Sequence, residues 1–309
     1  MRVVLEEGTR WPSGVDPEML ARRRLASLPF VVVGLTRGEV DERWLALCDV
    51  AVDDGHPALA RIEENLAARP VTCATLALLL RGQQRLSVDE GLVAESAAYS
   101  VLQSGSEFAD WRAAHPVRRA RDEGPRVHVA RDADTLTVTF TRPQRLNALD
   151  AQMRDELVEA LTLAGLDPTI GAVTLRAEGR AFCAGGDLDE FGSRADPATA
   201  HVVRLERSVG RVLARVGART TAHVHGACMG SGAELAAFAG RVVAAEDTEI
   251  ALPEVGLGLV PGAGGTVSLP RRIGRLRTAW LAFSGWPIGA VTARDWGLVD
   301  EIVPAQRGT

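Results

Sequence analysis

Two runs of small residues, each leaving an apolar strand-like segment, constrain the fold more than any other feature of the chain. Gly226, Ala227, Cys228, Met229, Gly230, Ser231, Gly232, Ala233, Glu234 and Leu235 follow the strand-like stretch Thr221 to His225 and pass straight into a helical pattern, Gly232 to Ala239. Residues this small let a ligand approach the backbone closely. A helix that begins there offers free N–H groups and the positive end of its dipole. The second run is Phe182, Cys183, Ala184, Gly185, Gly186, Asp187 and Leu188. Around both, strand and helix signals alternate. Strands are expected at Val127 to Ala130 and Leu136 to Phe140 as a hairpin around Asp132 to Asp134, then at Ala172 to Arg176 and Val242 to Ala245, with a helix at Asp150 to Ala164. Strands and helices in alternation predict an α/β layered fold.

Upstream the pattern changes. Residues 1–40 carry one strand-like run, Phe30 to Leu35, and form an extension to which no role is assigned. Residues 41–116 read as a helical module. Leu59, Ile62 and Leu66 recur at helix spacing, Ser87 with Glu90 forms a capping box, and Ser106 is expected to cap a further helix through Trp111. Residues 117–126, with Arg118, Arg119, Arg121, Asp122, Glu123 and Gly124, have the composition of an exposed linker. The core is expected at 127–309.

Several classes of function are disfavoured. The 35 basic residues are dispersed against 40 acidic ones, net charge −5, so no nucleic-acid footprint appears. All 35 are arginine, which removes lysine Schiff-base chemistry. No apolar run approaches the roughly 20 residues of a membrane span, and no secretory signal opens the chain, so a cytoplasmic location is expected. Cys48, Cys73, Cys183 and Cys228 lie far apart and read as buried hydrophobes. His223 and His225 share a strand face but lack further ligands, and no metal is expected. The lysine of a phosphate loop is missing, and Gly256 to Gly265 lacks dinucleotide-fingerprint spacing, so no nucleotide cofactor is expected.

Two carboxylates remain. Glu234 sits in the first turn of a small, apolar helix, and Glu254 lies between Pro253 and the apolar run Val255 to Val260. Buried, each needs a role or a partner. Taken singly, Glu234 also fits a helix-dipole complement and Glu254 a surface loop.

Taken together, and with the motifs Arg142 to Leu149, Ala184 to Leu188, His225 to Leu235, Leu252 to Gly258, Pro261 to Thr266 and Gly297 to Asp300, they resemble the enoyl-CoA hydratase/isomerase (crotonase) family across about Val127 to Pro304. The resemblance implies a crotonase-like spiral of ββα units with an associated helical module. It also implies an oxyanion hole from the backbone N–H groups of Gly186 and Ser231, catalysis by Glu234 and Glu254, and a water site at Gly262. Coenzyme A binding would fall on Arg145, Leu146, Ala184, Asp187 and Leu188. Ser231 departs from the glycine usual in the family. Both glutamates favour hydration of a 2-enoyl-CoA, with isomerisation or another acyl-CoA reaction of the superfamily as the nearer alternative and a non-catalytic acyl-CoA-binding subunit as the further one. Coenzyme A would be part of the substrate rather than a cofactor, and the assembly a homotrimer or a dimer of trimers. Family members continue past the segment matching Val299 to Pro304 with helices that residues 58–111 resemble, which suggests a circular permutation joined at Arg118 to Gly124. The rival account makes residues 1–115 a remnant of a second such unit, since Leu47 to Val52 echoes Leu298 to Val303.

Overall fold

The computed structural model describes residues 1–25, 28–117, 123–193 and 196–305. Among the described residues it has three sheets, and the largest follows from the alternation seen in the sequence. The largest contains β4 (Val127–Asp132), β5 (Thr135–Phe140), β6 (Ala172–Ala177), β8 (Thr220–Val224), β10 (Arg241–Ala245) and β13 (Glu301–Val303), in the order β13-β10-β8-β6-β5-β4. β4 and β5 form the expected antiparallel hairpin, and every other pairing in this sheet is parallel. A second sheet, ordered β12-β11-β9-β7, is built from β7 (Ala181–Cys183), β9 (Ala227–Met229), β11 (Glu249–Ala251) and β12 (Ile288–Gly289). Each long strand β6, β8 and β10 is thus followed by a short strand of the smaller sheet and then by helix, which is the spiral of ββα units. Leu136, Val138 and Phe140 on β5 and Val173 and Leu175 on β6 alternate into the core, where the Phe140 and Phe182 rings meet at 5.0 Å between centroids.

The helices of the spiral are α7 (Ala151–Leu166), α8 (Pro197–Glu206), α9 (Val209–Val216), α10 (Ser231–Ala236), α11 (Gly265–Ile273), α12 (Arg275–Ser284) and α13 (Ala290–Asp295). The helix expected over Gly232 to Ala239 is α10, shorter and begun one residue earlier. Phe238 and Ala239 instead close tight turns onto Leu235 and Ala236 through their N–H groups.

The helical module upstream of the hairpin consists of α3 (Ala58–Ala68), α4 (Pro70–Gln83), α5 (Val88–Gln103) and α6 (Ser106–Ala114). Ser87 and Glu90 form the capping box on α5. Ser106 does not cap α6. It is the first helical residue, Gly105 holds the cap position without a side-chain bond, and Glu107 accepts instead from the Val71 and Thr72 N–H groups that open α4. The module packs on its own chain. Ile62, Leu76, Leu80, Tyr99 and Phe108 are continuous with Leu252, Val255, Leu259 and Phe283 in one apolar cluster, and Asn65 Nδ2 donates to Phe283 O at 2.8 Å.

The extension is not a lone strand. β1 (Arg2–Glu6), β2 (Val33–Arg37) and β3 (Val50–Asp53) form a parallel sheet, flanked by α1 (Pro17–Leu25) and α2 (Glu42–Leu45), that runs across the sequence boundary at residue 40. β2 starts three residues later than the run Phe30 to Leu35, because the Val32 N–H is taken by Asp49 Oδ2 and Val31 O by the N-terminal ammonium group. The buried Asp49 also pairs with Arg81 of α4 at 2.6 Å and with Arg275 of α12 at 3.6 Å, tying sheet, module and core together.

Of the linker residues, 118–122 lie outside the described part. Among the described residues no group of His, Cys, Asp and Glu could hold a metal ion, and no helix is long and apolar enough to cross a membrane. All four cysteines are free and buried. His223 is half-buried on β8, and the His225 ring bonds Gly179 O at 2.9 Å.

Candidate active site

The first glycine turn is held by the motif that precedes it. Asn147, fully buried with φ +53°, accepts from the Arg142 N–H and donates to the carbonyls of Glu178 and Ala181. Arg142 in turn pairs with Asp187 at 2.8 Å and Asp150 at 3.4 Å. Leu149 then brackets Gly186: its N–H donates to Gly185 O at 2.8 Å and its carbonyl accepts from Asp187 N at 2.9 Å. The Gly186 N–H between them has no acceptor among the described residues.

At the second turn Gly230 adopts φ +46°, its N–H donating to Ala251 O. Only glycine fits. A Cβ there would stand 2.4 Å from Glu254 Oε1 and 3.5 Å from the Gly185 Cα, so the two turns are in contact. Ser231, the first residue of α10, has an N–H with no intrahelical partner, and among the described residues nothing else accepts it. Gly186 and Ser231 line one cavity of about 220 Å³, together with Glu234, Glu254 and Gly262.

The carboxylates differ in what holds them. Glu234 Oε2 accepts from Ala263 N at 2.7 Å and Gly265 N at 2.8 Å. The amides interleaved with these, Gly264 N and Thr266 N, go to a third buried acid, Glu95 of α5, at 2.7 and 2.8 Å, with the Thr266 hydroxyl added at 2.7 Å. Glu254, by contrast, keeps its buried Oε2 without a hydrogen-bond partner among the described residues. Burial raises all three. Glu254 stands well above the usual carboxylate range, through desolvation and then the neighbouring Glu234. Glu95 is pushed up to about 8 by the same two causes, and Glu234 to about 7 by desolvation, its backbone donors pulling the other way. A carboxylate held by two N–H groups beside a carboxyl with a free oxygen is a base next to an acid.

These shifts set the sign of a stability profile. At pH above about 4.5 the unfolded glutamates release protons that the folded forms retain, so stability falls as pH rises toward 8. His223, depressed by burial, works in the opposite sense but only below its ordinary 6.5. Urea midpoints are therefore expected to drop between pH 6.5 and 8, by on the order of a few kcal/mol in unfolding free energy. A flat or rising profile contradicts the burial of these acids.

Gly262 lies under the Tyr99 ring, where a Cβ would come within 2.4 Å of it. Of the five residues expected to bind coenzyme A, only Asp187 lines the cavity, and its side chain is occupied by Arg142. The Ala184 and Asp187 N–H groups are both spent within the fold, on the carbonyls of Leu146 and Leu149. The Arg145 guanidinium, 3.7 Å from Asp189, stays half-exposed and the Leu188 side chain is exposed, its carbonyl accepting from Arg112. The sequence reading overlooked Glu95 and Tyr99. The signal was available: Leu92, Glu95, Ser96, Tyr99 and Leu102 form one buried stripe of α5, so an acid faces the core.

The family model for enoyl-CoA hydratase/isomerase matches residues 131–307. A Mycobacterium bovis protein named as a probable enoyl-CoA hydratase is 37% identical over 179 residues, covering 58% of this chain and 69% of its own length. The 1,2-epoxyphenylacetyl-CoA isomerase of Escherichia coli is 36% identical over 173 residues, covering 54% and 66%. Among solved structures, an enoyl-CoA hydratase/isomerase from Mycobacterium abscessus superposes with a TM-score of 0.54 at 35% identity, over 58% of this chain and 70% of that one. With the ββα spiral and both glycine turns in place, the chain belongs to the enoyl-CoA hydratase/isomerase, or crotonase, family.

Proposed function

We propose that the chain hydrates 2-enoyl-CoA thioesters. Conjugation lets the thioester carbonyl take up negative charge as water adds to the β-carbon. The N–H groups of Gly186 and Ser231, two residues of one cavity lining whose amides have no acceptor among the described residues, would receive that oxygen. Glu234, the more readily ionised of the pair because two backbone amides donate to it, takes a proton from the attacking water near Gly262. Glu254 gives one to the α-carbon on the same face. Turnover leaves Glu234 protonated and Glu254 ionised, so the pair must exchange a proton before the next cycle. The observation that carries this reading is the asymmetry of the two buried acids: one satisfied as an acceptor, the other with an oxygen left over.

Coenzyme A would lie against the first glycine turn, with Arg145 meeting a phosphate and Leu146, Ala184, Asp187 and Leu188 shaping the approach. Residues 58–114 would stand in for the family's C-terminal helices by circular permutation. Their packing in cis supports this, as does their delivery of Glu95 and Tyr99 to the site. A cytoplasmic homotrimer or dimer of trimers completes the proposal.

The test is direct. Crotonyl-CoA is expected to lose its conjugated thioester absorbance on addition of the protein. Migration of a 3-enoyl double bond into conjugation without hydration would make the chain an isomerase, and binding of acyl-CoA with neither reaction would leave it a non-catalytic binder.

A further inference from the structure

The cavity holds two guanidinium groups that the proposed hydration does not use. Arg204, on α8, lies over the Tyr99 ring with its Cζ 4.6 Å from the centroid. Tyr99 in turn covers Gly262, so Arg204 stands one aromatic ring away from the loop that holds Glu234. Of the five N–H groups a guanidinium carries, Nε donates to Ser96 Oγ at 3.3 Å and one of Nη2 to Ser100 Oγ. Both partners are neutral. Among the described residues no carboxylate forms an ion pair with Arg204. Glu95, Tyr99 and Arg154 are the titratable groups whose charges it feels.

Arg154, on α7, lines the same cavity and, among the described residues, pairs ionically only with its sequence neighbour Asp155, at 2.8 Å. The acids nearby are spoken for: Asp150 by Arg126 and Arg142, Asp187 by Arg142, and Glu190 by the Ala151 N–H. A half-buried guanidinium whose hydrogen-bond partners are neutral hydroxyls is costly, and an anion entering the cavity would offset that cost. Arginine geometry suits a carboxylate best, because the fork meets both oxygens at once.

We propose that the part of the cavity lined by Arg204 and Arg154 receives the acyl chain, and that this chain ends in a carboxylate met by Arg204 with Arg154 contributing. This deepens the acyl-CoA reading above and rests on it. Tyr99 forms the wall between the reacting carbons and this anion site, and its edge gives the chain an apolar path.

The experiment separates binding from turnover. Adipoyl-CoA and hexanoyl-CoA are saturated, equal in chain length, and differ only in the terminal carboxylate. Adipoyl-CoA is expected to bind at least tenfold tighter by calorimetry, and the ratio should shrink as salt rises. Arg204→Gln should bring the ratio close to one and Arg154→Gln should lower it, while Arg204→Lys should keep a clear preference. Equal affinities for the two thioesters in the unsubstituted protein would overturn the proposal, as would a ratio unmoved by Arg204→Gln. A protein that discriminates the saturated pair yet hydrates neither trans-2-hexenoyl-CoA nor trans-2-hexenedioyl-CoA would overturn the hydration reading alone.

Discussion

Glu254→Gln is expected to lower kcat for enoyl-CoA hydration by roughly two to four orders of magnitude, the usual worth of a positioned acid. The substitution keeps the volume and removes the transferable proton. Because Glu254 Oε2 is buried without a partner, no compensating hydrogen bond is lost when the carboxyl goes. The variant should therefore resist urea better than the parent at pH 8, by about 1 to 2 kcal/mol, because the folded parent must keep Glu254 protonated at a pH where the unfolded chain has released that proton. Glu234→Gln should lose activity on a similar scale but gain less stability, because its amide oxygen can take over both bonds that Oε2 accepts from Ala263 and Gly265 while its NH2 group enters the buried place of the other oxygen. Activity within threefold of the parent in either variant would remove that residue from the reaction. The paired readout matters: a site that is costly to fold and necessary for chemistry should show opposite signs in stability and rate.

The sequence made the core of this site legible for a physical reason. Glycine turns and the polar side chains that brace them are local, and their spacing along the chain is dictated by backbone geometry. Gly230 must be glycine because Glu254 lies where its Cβ would be, and Asn147 takes a left-handed conformation that asparagine tolerates, so both positions announce themselves. Glu95 and Arg204 did not. Their roles depend on α5 crossing α8 and α11, contacts between residues separated by more than 100 positions, which no local pattern encodes. The same limit applies to the first 53 residues. Of their strands only β2 shows in the sequence, as the run Phe30 to Leu35; β1 and β3 are short enough to pass as loops, and only the parallel pairing, braced by the buried Asp49, makes the three a sheet.

Partial overlap with the relatives has a structural counterpart. The superposition with the Mycobacterium abscessus structure covers 70% of that chain, and here the spiral's outer helices α11 and α12 are covered by α3, α4 and α5, which come before it in sequence. Gln83 Nε2 reaches Thr266 Oγ1, and Glu95 holds the α11 amides. The loop that presents Ala263 and Gly265 to Glu234 is thus fixed from a segment about 170 residues upstream.

Ser231→Pro addresses the other half of the chemistry, and its effect should be nearly as large. A backbone amide cannot be removed by changing a side chain, except with proline. Proline is tolerated at the first position of a helix, which is where Ser231 stands in α10. The substitution deletes one N–H from the cavity without breaking any helical hydrogen bond, because that group has no intrahelical acceptor. Loss of one such donor is expected to cost about 3 to 4 kcal/mol, or roughly a hundredfold to a thousandfold in kcat. Ser231→Gly is the companion, since it keeps the N–H and removes only the hydroxyl, which lies 3.7 Å from Cys183 Sγ; its kcat should stay within a few-fold of the parent. Measured at saturating crotonyl-CoA, with melting used to show that α10 persists, a proline variant that retained more than a tenth of the parent rate would mean that the thioester oxygen is received elsewhere. If instead the proline variant fails and the glycine variant does not, the loss belongs to the amide and not to the serine side chain. The family's usual glycine and this chain's serine would then be equivalent at the one atom that matters.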